Sequence, residues 1–133
     1  MDPIERYMLG LEGLHRQRGE MMHWLITALF PDVEQGLQYR MPTYKAGRDF
    51  VAWGFRGDSI LLVTPSAQRI RAFRKRHPKI PAAGSTLSVR RSDPFPTDDL
   101  AKTVRCALAP QVAADKPVRP TARGLRGQKR GAR

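Results

Sequence analysis

Apolar residues recur along this chain with two different periods, and the switches between them divide it into elements. Residues from about 16 to 30 (RQRGEMMHWLITALF) carry the helical period: Met21, Leu25 and Ala28 form one stripe with Met22 and Leu29 beside it. Pro31 and Asp32 end that run, and upstream Pro3 to Leu11 reads as a short separate helix, loosened from the next by Gly10 and Gly13. From Tyr44 to Val63 the period drops to two. FVAWGF (50–55) sets Val51, Trp53 and Phe55 on one face, and SILLV (59–63) follows the turn Arg56-Gly57-Asp58, which predicts a hairpin. Ala46 to Asp49 reads as another turn, so Thr43 to Lys45 adds a strand before it. A helix then follows Thr64-Pro65, with Ile70 and Phe73 inward, and ends at His77-Pro78. Ser85 to Arg91 alternates as a half-exposed strand. Thr97 is placed to cap a last helix whose stripe is Leu100, Val104 and Leu108 and whose stop is Pro110. The order predicts an α+β domain over residues 1–110, with helices packed on a small, mainly antiparallel sheet.

Composition adds a tail and removes some classes. Residues 111–133 hold seven Lys/Arg against Asp115, which is half of the net charge of +12. With five Pro/Gly and no aromatic residue, this segment cannot bury enough apolar surface to offset its ordering entropy, so a disordered basic tail is expected. Such an arm can hold nucleic-acid phosphates through counterion release. The single cysteine, Cys106, excludes an internal disulfide framework and fits a reducing compartment. The start lacks the apolar core of a signal peptide, and the run Trp24 to Phe30 is far short of a membrane span. A cytoplasmic protein without membrane contact is the expectation.

The stretch PDVEQGLQYRMPTYKAG (31–47) resembles the signature of the YdhG-like family, domain of unknown function 1801. The resemblance continues, in order, through FVAWGF, SILLV, GSTLSVRR and PFPTDDLAKTV, and spans roughly residues 5 to 108. It departs at Arg40, where the family usually has a small residue, and in the basic tail. The resemblance implies a small frataxin-like α+β domain without enzymatic activity. It also implies a role like that of the family's intracellular iron chaperones: weak binding of labile iron and handover to a protein acceptor.

Candidate chemistry falls into three groups. For iron, Glu12/His15 and Glu20/His23 are Glu-x-x-His units, which one helix face can present. Their separation of about 12 Å along the helix is too great to share an ion, so Glu20 and His23 would need Asp32 and Glu34. For polyanions, Arg69, Arg71, Arg74, Lys75, Arg76 and Lys79 crowd one helix and its exit, opposite inward Ile70 and Phe73. For a small anionic ligand, the corner around Met41-Pro42 brings Tyr39, Tyr44 and Lys45 near one another in sequence, with Trp53 on the neighbouring strand. The same residues also read as a stiff junction, Leu37, Tyr39 and Met41 closing the gap between helix and sheet. Catalytic groups are not indicated: phosphate-binding glycine loops and nucleophile elbows are missing, and Cys106 reads as packing.

Overall fold

The computed structural model describes residues 2–114. Asp2 opens α1 (Pro3–Leu9) with a reciprocal cap, its carboxylate accepting from the Glu5 amide at 2.8 Å while Glu5 reaches back to the Asp2 amide. Gly10 closes that helix, and Gly13, at φ +56°, starts α2 (Gly13–Leu29). Six antiparallel strands follow: β1 (Glu34–Gln38), β2 (Met41–Ala46), β3 (Asp49–Arg56), β4 (Ser59–Val63), β5 (Ala82–Ala83) and β6 (Thr86–Val89). A 3-10 turn (Ala67–Ile70) and α3 (Arg71–Arg76) lie between β4 and β5, and α4 (Thr97–Ala114) comes last. The strand order is β1-β2-β3-β4-β6-β5, so the two-residue β5 and the polar β1 form the edges. Among the described residues no helix is long and apolar enough to cross a membrane.

The helices meet one face of this sheet. Tyr44, Val51, Trp53, Ile60, Leu62, Leu87 and Val89 point into a common core with Ile4, Met22, Leu25, Ile26, Ile70, Phe73, Leu100, Val104 and Leu108. The expected α+β architecture is therefore present, with a wholly antiparallel sheet. The hairpin at 56–58 is also present, pairing Arg56 with Ser59 and Trp53 with Leu62.

Three elements differ from the pattern-based expectation. Glu34–Gln38 is a strand, and β1 and β2 form a hairpin closed by Tyr39 and Arg40 at φ +52° and +63°. Both turn residues occupy left-handed space, the arrangement of a type I′ turn, which normally uses Asn and Gly. Leu37 and Tyr39 consequently stand outside the core, Tyr39 at 91% exposure, rather than bridging helix and sheet. In α2 the buried face is Arg18, Gly19, Met22, Leu25 and Ile26, while Ala28 is exposed. The helix sits close to the sheet at Gly19, where a Cβ would come within 3.0 Å of the Trp53 ring, and this contact selects the phase. Finally, α4 continues through Pro110 to Ala114. Proline supplies no N–H to the Cys106 carbonyl four residues earlier. Arg69 replaces that donor: its Nη1 reaches the Cys106 carbonyl at 3.1 Å and the Ala107 carbonyl at 2.7 Å. The expected boundary after residue 110 thus falls inside a helix, and the rest of the basic tail lies outside the described residues.

Candidate functional site

The segment from Ala67 to Arg76 is anchored from beneath by Ile70 and Phe73, both buried. Their i, i+3 spacing directs Arg71, Arg74 and Lys75 to the opposite side, where all three are exposed. Two other cations of the predicted cluster are engaged in the fold. Arg69 Nη2 donates to Asp49 Oδ1 at 3.0 Å, a carboxylate that is buried at the turn into β3. Arg69 is therefore a clamp holding the β2–β3 turn, the 3-10 turn and α4 together, and not part of an outer surface. Arg76 Nε lies 3.0 Å from Asp99 Oδ1, and His77 Nε2 donates to Asp99 Oδ2 at 2.7 Å, which ties the end of α3 to the first turn of α4. Hydrogen bonding from His77 and the Arg76 charge hold the Asp99 carboxyl below the usual carboxylate range.

Arg71, Arg74 and Lys75 have no acidic partner among the described residues. They instead border two shallow concavities. One, of about 620 Å³, runs over Gln68, Arg71, Arg74, Lys75 and Pro81; the other, of about 560 Å³, lies over Gln68, Arg69, Arg71, Ala72, Lys75 and Cys106. Arg71 and Lys75 form the ridge between them. At i, i+4 on one short helix these cations repel by a few tenths of a kcal/mol, and no described carboxylate offsets that. Cys106 faces the second concavity and is exposed, contrary to the packing role expected. The buried positions of α4 are Leu100, Thr103, Val104, Ala107 and Leu108, a stripe that leaves residue 106 on its outer flank. Lys79 lies apart from these concavities, on a cleft of about 730 Å³ between the exit of α3 and the Asp93–Asp99 loop. Arg18, buried in α2, fixes that loop by donating to the Arg90 and Asp93 carbonyls at 2.9 and 2.6 Å and covering the Phe95 ring.

The corner proposed for a small anionic ligand does not assemble. Tyr44 and Trp53 are fully buried, Pro42 is buried, Met41 packs over Gly54, and Tyr39 stands at the hairpin tip. Lys45 pairs across the strands with Glu34 at the sheet margin. What forms instead is an internal relay. Trp53 Nε1 donates to the Tyr44 hydroxyl at 2.9 Å, and that hydroxyl lies 2.8 Å from His23 Nδ1. Because the indole can only donate, the Tyr44 proton is directed to His23, whose Nδ1 accepts in the neutral ring. Burial raises the Tyr44 pKa strongly and lowers that of His23.

The four residues considered for iron do not converge either. Glu20 pairs with Arg16 at 3.3 Å, His23 is turned inward to Tyr44, and Asp32 and Glu34 are exposed before and at the start of β1. The helical phase is the reason: rotating α2 onto Gly19 carries His23 from the expected solvent face to the sheet. No group of three or more His, Cys, Asp or Glu among the described residues could hold a metal ion. The remaining histidine, His15, stacks on Phe55 at 4.2 Å and donates to the Gly57 carbonyl at 2.9 Å.

No family model and no curated protein sequence matches this chain. Its fold is similar to the crystal structure of a protein of the DUF1801 family, YdhG from Bacillus subtilis, with a TM-score of 0.68 over 82% of this chain and 90% of that one. The two sequences are 15% identical over that match, so the likeness is one of fold.

Proposed function

We propose that this domain works by binding rather than by catalysis, and that the ridge of Arg71, Arg74 and Lys75 contacts the phosphates of a nucleic acid. The observation that carries this reading is the set of exposed cations without acidic partners, arranged along two adjoining concavities. Cations kept together against their mutual repulsion are matched by a polymer of regularly spaced anions, whose release of counterions drives association. The basic tail, with half of the net charge, would extend the same field. Each histidine is committed to a hydrogen bond within the fold, to Gly57, Tyr44 and Asp99, which favours binding over general acid–base work. Iron delivery has no converging donor set to rest on among the described residues.

Titration of a fluorescent single-stranded oligonucleotide across a salt series tests the reading. With the full chain, Arg71→Ala plus Lys75→Ala should weaken binding and lower the log–log salt slope by about 2, roughly one per lost phosphate contact. The shortened chain 1–114, measured alongside, separates the ridge from the tail. A slope unchanged by the double substitution would exclude the ridge.

A further inference from the structure

β1 (Glu34–Gln38) is an edge strand whose outer backbone groups have no partner in the fold described above. The two-residue turn makes Gln38–Met41 the hydrogen-bonded closing pair, so Gly36 and Glu34 also bond inward to β2. Gln35 and Leu37 alternate with them and turn their N–H and C=O groups away from the sheet. Pro42, opposite Leu37, agrees with this alternation. Its missing N–H would have pointed toward β3, and the β2–β3 ladder begins one residue later at Thr43.

Gly36 at the centre of the strand is not required by the single chain. Its φ is not positive, and a Cβ built there meets nothing within 4 Å. A glycine inside a strand weakens it and often marks a place where another backbone approaches closely. We propose that this backbone is β1 of a second copy, paired antiparallel about a twofold axis at Gly36, so that two sheets become one. The outward groups of Gln35 then bond those of the second copy's Leu37, and the reverse, while the two glycines face each other at the closest Cα approach.

The charges favour this occupant in this orientation. Antiparallel pairing sets Glu34 opposite the second copy's Gln38, whereas parallel pairing would stack Glu34 on itself. Beyond the strand it sets Tyr39 beside the second copy's Val33 and Arg40 beside its Asp32, an apolar and an opposite-charge match, each made twice. Tyr39, Arg40 and Asp32 are all exposed in the single chain. The same edge gathers exposed apolar surface: Leu9, Leu37 and Tyr39 belong to β1, its turn and the helix α1 packed on it.

Sedimentation velocity of the full chain, stripped of nucleic acid, tests the pairing. A concentration-dependent dimer is expected, strengthened by salt because two copies of net charge +12 repel each other at long range. Gln35→Pro deletes an outward N–H in each copy without touching the β1–β2 bonds, and should weaken association about thirtyfold. Asp32→Arg and Arg40→Asp, at exposed positions that do not endanger folding, should each weaken it, and the double exchange should restore it. A chain that stays monomeric at every concentration, a dimer indifferent to Gln35→Pro, or charge exchanges that do not rescue one another would overturn the proposal.

Discussion

Tyr44 has one proton to give, and its burial leaves only His23 to take it. The donor-only indole of Trp53 occupies one lone pair of the hydroxyl, and His23 Nδ1 receives the hydrogen as long as the ring is neutral. Protonating His23 would set two donors against each other in a half-buried place, which is why burial lowers its pKa below the ordinary 6.5. A histidine with a lowered pKa contributes stability that is fully present above 6.5 and is lost as pH falls through the window below it. Urea unfolding above and below that value should therefore show a step, and His23→Gln, whose side-chain carbonyl can still accept from Tyr44, should remove it. Asp99 and the other depressed carboxylates contribute in a separate, more acid window below 3.8. Gly19 is a second position where one atom matters. An alanine would gain about 1 kcal/mol of helix propensity, but its Cβ would lie 3.0 Å from both Leu11 and the fully buried Trp53 ring. Leu11 can move aside and Trp53 cannot, so overpacking of about 1–3 kcal/mol outweighs the gain. Gly19→Ala should lower the midpoint of thermal unfolding.

Between elements, the decisive contact is made by a residue whose sequence neighbourhood suggests another task. Arg69 lies among exposed cations, yet it satisfies the carbonyl that Pro110 leaves without a helical donor and neutralises a carboxylate at the turn into β3. Arg69→Met would leave Asp49 with a buried charge, one oxygen of which already lacks a partner. Removing one member of a fully buried pair costs about 3–5 kcal/mol. With Arg69 still 22% exposed, about 2–3 kcal/mol is expected. Adding Asp49→Asn should recover much of that loss, since the uncompensated charge goes with it, and a double-mutant cycle in urea measures the coupling. The β1–β2 hairpin was hidden for a related reason. EQGLQ lacks alternating apolar residues, and Tyr39-Arg40 is not a turn dipeptide, although both residues adopt left-handed backbone at a cost of about 1–2 kcal/mol each.

At the scale of the molecule, charge and edge make opposite demands on salt. Nucleic-acid contact through Arg71, Arg74, Lys75 and the tail should weaken as ionic strength rises. Pairing of two positively charged copies through β1 should strengthen, since the attraction there is backbone hydrogen bonding at short range. One salt series read by both anisotropy and sedimentation thus separates the two activities. The interface proposed at β1 and the ridge on α3 belong to different elements, so substitutions in one leave the other intact.

Where local pattern and burial coincide, the sequence by itself determined the outcome. The alternation of FVAWGF and SILLV, the Gly-Asp turn between them, the prolines closing α2 and α3, and the acids opening α4 all act within a few residues. Each is a constraint of backbone geometry or of one amphipathic face. Which side of α2 is buried, whether Arg69 faces water or the core, and where His23 finds its hydrogen bond were decided only by tertiary structure. Those outcomes depend on groups far apart in the chain: a tryptophan ring against Gly19, and a carbonyl orphaned by Pro110. Periodicity describes how a helix can be amphipathic, while the shape of the surface it meets selects the rotation.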